Sequence, residues 1–107
     1  MSTPAGTWHL TMRTPIGTMR ATMTLAHTEG EWTGLAHAEN ATPAIPLRDI
    51  TVEPAGEGDR ITWSQTITSP LRLNLDFDVI IVGEKMTGHS KAGRLPRTAV
   101  SGIRVAQ

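Results

Sequence analysis

The feature that most constrains this chain is an alternation of apolar and polar residues that recurs along its length. The clearest run alternates Leu71, Leu73, Leu75, Phe77 and Val79 with Arg72, Asn74, Asp76 and Asp78. The same period of two runs through residues 8–13, 19–26 and 60–67. A strand with one buried face shows this pattern, whereas a helix needs apolar residues about 3.6 positions apart. The pattern therefore predicts an all-β chain of antiparallel strands with one wet face.

Clusters of Gly, Pro, Asn and Asp separate these runs and predict seven turns. The resulting eight strands are predicted near residues 6–14, 17–27, 31–38, 45–53, 60–68, 71–81, 85–91 and 97–105. The fourth strand is the weakest, because Pro46 interrupts it and its apolar phase changes between Leu47 and Ile50. With 107 residues, the chain has room for one domain spanning residues 1–107.

Short sequential hairpins favour an eight-stranded antiparallel up-and-down β-barrel, and a β-sandwich is the alternative fold. Closure is preferred because none of the predicted strands has the charged, protected character of a sheet edge. An open meander of eight strands would leave two such edges.

The two halves of the sequence resemble each other. Trp8 and Trp63 are each followed seven residues later by a proline, Pro15 and Pro70, and then by an aliphatic residue. The offset is 55 residues at the tryptophans and 54 farther on, which aligns residues 19–25 with residues 73–79 and makes Gly17 an extra residue. This internal repeat predicts two halves of four strands each.

Gly6 and Trp8 near the start, with Gly102 and Arg104 near the end, carry a resemblance to a known family. Together they resemble the signature of the lipocalin and calycin barrels, in which a Gly-x-Trp on the first strand packs near an arginine of the last strand. The resemblance implies a compact barrel of this kind, closed at the Trp8 end and opening onto a ligand cavity at the other.

Charges separate between the two ends of a predicted meander, because alternate turns lie at opposite ends. The end that holds the termini carries acidic residues, namely Glu29, Glu31, Glu53, Glu57, Asp59 and Glu84. The opposite end collects Arg13, Arg20, Arg48, Arg72, Lys91, Arg94 and Arg97. Trp8, Trp32 and Trp63 begin odd-numbered strands, and we predict that they form a structural plug at the acidic end together with Arg104.

At the basic end the inward phase supplies methionine and leucine side chains that suit an irregular apolar ligand. Gly88 and Ala36 are small enough to leave space beside them. The predicted ligand-binding residues are Leu10, Met12, Met19, Met23, Gln65, Ile67, Leu71, Leu73, Ser90, Arg94 and Arg97. The alternative is that these side chains fill the barrel completely.

Several classes of site are not expected. A formal net charge of zero argues against nucleic-acid binding driven by bulk charge, and the absence of cysteine removes thiolate chemistry. The histidines, His9, His27, His37 and His89, are assigned to the outward phase without ligand spacing, so we expect no metal and no cofactor. Neither a signal peptide nor an apolar run long enough for a membrane span is found, which makes the cytoplasm the expected location.

Three functions remain in competition. The first is binding of a hydrophobic small molecule, with an anionic head group, inside the barrel. The second is an enzyme of the cyclase or isomerase type that shapes a hydrophobic substrate around a polar group such as Gln65. The third is a structural or oligomer-forming β module with a filled core. The residues assign no catalytic group, no ligand identity and no oligomeric state.

Overall fold

The computed structural model of the chain describes residues 4–14, 17–38, 44–67, 73–93 and 95–105. Nine strands lie in these ranges: β1 (Gly6–Thr14), β2 (Gly17–Thr28), β3 (Glu31–Ala38), β4 (Ile45–Pro46), β5 (Arg48–Ala55), β6 (Gly58–Ile67), β7 (Leu73–Val82), β8 (Lys85–Lys91) and β9 (Thr98–Arg104). The described part of the chain contains no helix with the length and hydropathy needed to cross a membrane.

All nine strands form one antiparallel sheet in the order β4-β3-β2-β1-β9-β8-β7-β6-β5. The sheet curls until β3 approaches β5, where the Leu47 amide donates a hydrogen bond of 3.0 Å to the Gly34 carbonyl. The result is a nearly closed barrel. The predicted all-β fold and meander connectivity are confirmed, with nine strands in place of eight.

The additional strand comes from a break in the predicted fourth strand. Its residues form β4 and β5, and the register of β5 against β6 shifts between Arg48 and Thr51. Asp49 has a φ of 53° there, a left-handed conformation that interrupts regular pairing. The position of this break agrees with the interruption by Pro46 and the phase change that weaken the strand in the sequence.

Strand β5 has the character of a protected edge, contrary to the expectation from the sequence that no strand would. It carries the irregularity at Arg48–Thr51, a proline at Pro54 and an exposed carboxylate at Glu53. Natural sheets use these three devices on edge strands to prevent pairing with other chains. We call the gap between β3 and β5 the seam, and among the described strands it is the one place where the sheet is interrupted.

Strand register confirms the internal repeat. Trp8 lies opposite Met23 on β1 and β2, and Trp63 lies opposite Phe77 on β6 and β7. The pairing of Leu25 with Gly34 is likewise reproduced by Val79 with Gly88. Strand β9 is the counterpart of β4 and β5 together, and it pairs continuously with both β8 and β1. The two halves thus differ mainly in their last strand, which is continuous in β9 and is broken into β4 and β5 in the first half.

The barrel interior is filled with large side chains through its centre and acidic end. Less than 2 % of the side chain is exposed for Trp8, Trp63, Met23, Leu25, Ile61, Met86 and Val79. Gly88 does not leave the space expected of it, because a Cβ there would lie 2.2 Å from the Asp78 carbonyl oxygen. Its role is instead to let β7 and β8 approach each other closely.

Candidate ligand-binding mouth of the barrel

Arg104 and Trp8 contact each other at the acidic end of the barrel. The Trp8 ring is fully buried, and its Nε1 donates a hydrogen bond of 3.0 Å to the Pro4 carbonyl. The Arg104 guanidinium lies over this ring at 4.4 Å from its centroid, and its Nη1 donates to the Ala5 carbonyl at 2.6 Å. These two residues therefore hold the segment before β1 across the end of the barrel.

Trp63 occupies the centre of the barrel rather than its acidic end. It lies in the middle of β6, and its ring stacks on Phe77 with centroids 4.7 Å apart. Its Nε1 donates a hydrogen bond of 2.9 Å to Oε1 of the buried Gln65. Trp63, one of the three tryptophans predicted for the plug, thus connects the apolar core to Gln65, which lies toward the basic end.

Trp32 lies at the acidic end but is only partly buried. Its ring stacks on His27 with centroids 4.5 Å apart, and the two residues are opposite each other on β3 and β2. His27 is exposed, but it has the alternation phase of the buried Met23 and Leu25 and not the outward phase assigned to it. Within the described residues, no group of three or more His, Cys, Asp or Glu is arranged to hold a metal ion.

Burial decreases toward the basic end on three strands. On β1 and β7 the inward-facing side chains are buried toward the acidic end and become more accessible toward the other. On β2 exposure rises from the buried Met23 through Ala21 to Met19, although His27 at the acidic end of this strand is exposed as well. We use the term mouth for the accessible apolar residues, which are Met12, Met19, Ala21, Leu73 and Leu75. Met19, the most accessible of them, is 38 % exposed. Both halves of the internal repeat contribute to the mouth, because Met19 and Ala21 on β2 are the counterparts of Leu73 and Leu75 on β7.

The predicted ligand-binding residues divide into groups by depth. Leu10 and Met23 belong to the filled core, with 2 % and 0 % exposure. Met12, Met19 and Leu73 belong to the mouth, and Arg97 is exposed. Leu71, Arg94 and the side chain of Ile67 lie outside the described residues.

Gln65 and Ser90 are the buried polar residues of the described chain, and they lie between the core and the mouth. Gln65 pairs with Leu75, and Ser90 pairs with Phe77. Sequence reasoning omitted Ala21 and Leu75 from the site, although their apolar phase matched that of Met19 and Leu73. The 54-residue offset of the repeat, which aligns Ala21 with Leu75, is the sequence feature that indicates both of them as site residues.

The charge asymmetry is present but less complete than predicted. Arg13, Arg20 and Lys91 are exposed on strands that end near the mouth, and Arg97 is exposed directly before β9. Asp49 and Asp76 also lie in that half on the outer face, where Asp76 accepts a hydrogen bond of 2.7 Å from Ser64. The cationic rim is therefore interrupted on the β5–β7 side.

The outer face of β6 and β7 carries a separate ion pair. Arg60 donates from Nε and Nη2 to the two carboxylate oxygens of Asp78 at 2.9 and 2.6 Å. This hydrogen bonding lowers the pKa of Asp78 below its usual value. Both Asp76 and Asp78 line an open depression of about 430 Å³ on this outer surface.

Comparisons with family models, with curated proteins and with solved structures give no match to this chain. The burial, contacts and charges of the barrel are therefore the features that bear on its function.

Proposed function

We propose that this protein binds a hydrophobic small molecule that carries an anionic group, and that the ligand enters at the mouth. The observation that carries the proposal is the loss of burial toward the basic end of β1, β2 and β7, which leaves apolar side chains accessible at that end. Contact with such side chains contributes about 25 cal/mol for each Å² of apolar surface removed from water. The ligand would gain this energy without any change in the filled core.

The filled core limits how far the ligand enters. Leu10, Met23 and Trp63 occupy the centre, so the ligand would contact the mouth and stop at Gln65 and Ser90. The cations around the mouth, including Arg13 and Arg97, favour an acid group that stays at the rim in contact with water. An exposed charge pair of this kind contributes on the order of 1 kcal/mol, so it would affect selectivity more than total affinity. The lipocalin-like resemblance implies a ligand cavity that opens at the end far from Trp8, and the filled core would limit it to a shallow site there.

Binding is preferred over the enzyme alternative because the buried polar residues next to the mouth, Gln65 and Ser90, are not acid–base groups in the pH range of most enzymes. The structural alternative is supported by the filled core, but it assigns no role to the accessible apolar residues of the mouth.

The test compares a fluorescent fatty acid with its alcohol analogue. We expect both probes to bind the wild-type protein, and Ala21→Phe, which fills the mouth, to weaken both by about tenfold or more, since 1.4 kcal/mol corresponds to a factor of ten. Ala99→Phe is the matched control because Ala99 is exposed on the outer face of β9. Thermal unfolding of both variants checks that the fold is retained.

The rim is tested with the Arg94→Ala, Arg97→Ala double variant. The acid should lose affinity several-fold and the alcohol should change little, with the difference decreasing at high salt. Failure of both probes to bind the wild-type protein would exclude the binding proposal and favour the structural module. Binding of both probes with affinities unchanged in the double variant would retain the mouth and remove the anionic group from the proposal.

A further inference from the structure

The seam leaves one stretch of β3 without a strand partner on one side. On β8, the counterparts Lys85, Met86 and Thr87 each pair with a residue of β9. On β3, ladder pairing with β4 is limited to Leu35 with Pro46 and Ala36 with Ile45. Residues 31–33 therefore form an open edge at the position where the other half of the barrel has a complete strand.

The direction of the backbone groups shows what this edge offers. The Gly34 carbonyl faces the seam, since it accepts a hydrogen bond from the Leu47 amide. In an antiparallel strand the N–H and C=O groups of every second residue point to the same side. The N–H and C=O of Trp32 therefore face the seam as well, and no described residue pairs with them. Groups left in this way form a template for an added strand.

Side-chain burial independently locates the same opening. At the acidic end Trp8, Ile61 and Met86 are fully buried, whereas the inward-facing residues beside the seam are only partly buried, namely Trp32, Ile50 and Val52. An open, largely apolar depression of about 450 Å³ adjoins this edge and extends over β2, β3 and β4, with Thr24, Ala26, Trp32, Leu35, Pro46 and Leu47 among its lining residues. The edge of β3 has no proline and no bulge, in contrast to β5.

Charge indicates which kind of segment fits. The inward phase beside the seam is apolar, with Trp32 on β3 and Val52 on β5. The outward phase carries carboxylates at Glu31 and at Glu53, the latter 3.8 Å from the Arg60 guanidinium. An added strand would place its side chains alternately in these two environments. Glu29 and Glu57, in the adjoining turns, add further exposed negative charge. A second copy of this chain would bring the same carboxylates to the seam, which disfavours self-pairing.

We propose that the seam binds an extended segment of another protein, in which apolar and basic residues alternate, by adding it as a strand to β3 at Trp32. This site is at the opposite end of the barrel from the mouth and does not depend on the small-molecule proposal. Recognition by strand addition draws affinity from main-chain hydrogen bonds and specificity from alternate side chains.

The test uses capped peptides and the full chain. We expect Lys-Val-Lys-Val-Lys to bind saturably and to shift the amide resonances of Trp32 and Gly34 by NMR, and Glu-Val-Glu-Val-Glu not to bind. Two further peptides carry N-methyl groups on every second amide, one peptide on the odd-numbered residues and the other on the even-numbered residues. One of these peptides should fail to bind, because methylation removes its donors to β3, and the other should keep its affinity within about twofold.

The charge contribution is tested with Glu31→Gln, which should weaken the basic peptide several-fold. Glu84→Gln is the matched control, because Glu84 is also exposed in a hairpin turn at the acidic end but lies between β7 and β8. The proposal is overturned by an absence of saturable binding, by equal effects of the two N-methylated peptides, or by equal effects of the two variants. Concentration-dependent shifts of the Trp32 amide without peptide would also overturn it, since they would identify a second copy as the occupant.

Discussion

The guanidinium carbon of Arg104 lies 4.4 Å from the centroid of the Trp8 ring. The same side chain donates from Nη1 to the Ala5 carbonyl, and a Cβ on Gly6 would lie 2.9 Å from that nitrogen. Gly6 therefore serves two purposes, since it adopts a φ of 133° and leaves room for the cation. One arginine of the last strand thus joins the first strand, its buried tryptophan and the segment before it.

The first prediction concerns this crowding. Gly6→Ala and Gly17→Ala both place a side chain at positive φ, with values of 133° and 128°, but a Cβ on Gly17 meets no atom within 4 Å. Both variants should destabilise the protein, and Gly6→Ala should cost about 1 kcal/mol more, the typical contribution of a cation–π contact. Urea unfolding measures the difference.

Arg104→Ala provides the control for that prediction. In this background the two glycine variants should have nearly equal effects, because the guanidinium that crowds position 6 is gone. An extra cost of Gly6→Ala that persisted without Arg104 would show that the crowding argument is incorrect.

The second prediction separates the three tryptophans by burial. Trp8 and Trp63 are 0 % and 1 % exposed, whereas Trp32 is partly accessible beside the seam. A Trp32→Phe variant should therefore retain blue-shifted emission that acrylamide quenches poorly, and the emission lost relative to wild type should be the readily quenched part. Trp8→Ala should cost about 3–5 kcal/mol in unfolding free energy, and Trp32→Ala should cost less. Efficient quenching of the Trp32→Phe protein would contradict the burial of Trp8 and Trp63.

The third prediction concerns pH. Hydrogen bonding from Arg60 lowers the pKa of Asp78 below its unfolded value of 3.8. A carboxylate with a lowered folded pKa contributes stability that is present above the unfolded pKa and is lost as the pH falls through the folded pKa. The stability difference between wild type and Asp78→Asn should therefore be constant near neutral pH and decrease below about pH 4.

The matched background for this measurement is Arg60→Gln. Without the guanidinium, the pH dependence of the Asp78→Asn difference should largely disappear, because the hydrogen bond that contributes most to the lowered pKa is gone and only the smaller influences of His89 and Arg97 remain. Unfolding by urea at a series of pH values measures both pairs. An unchanged pH dependence in the Arg60→Gln background would assign the effect to another group.

Much of the strand pattern was predictable because it depends on local alternation. The inward phase of β1, β2, β6 and β7 follows directly from the period of two, and the repeat placed Trp8 and Trp63 at equivalent positions. The predicted turn at 54–59 is shorter in the structure, with β5 ending at Ala55 and β6 beginning at Gly58. Residues 54, 55 and 58 pair across this hairpin because a two-residue turn containing Gly56, at a φ of 61°, is sufficient to reverse the chain.

Other features could not be read from alternation. The role of Gly88 depends on how closely β7 approaches β8, and a small residue in a sequence does not distinguish an empty space from a close contact. The central position of Trp63 and its hydrogen bond to Gln65 depend on the relative stagger of strands around the barrel.

The sequence by itself therefore determined the fold class, the inward phase of most strands, the internal repeat and the separation of charge between the two ends. These properties depend on the order of residues along each strand and on the alternation of turns. Only the tertiary structure decided where the curled sheet fails to close, which side chains fill the interior and which remain accessible at the mouth and the seam. Closure and filling depend on the summed shapes of side chains from strands distant in the sequence, and no single strand carries that information.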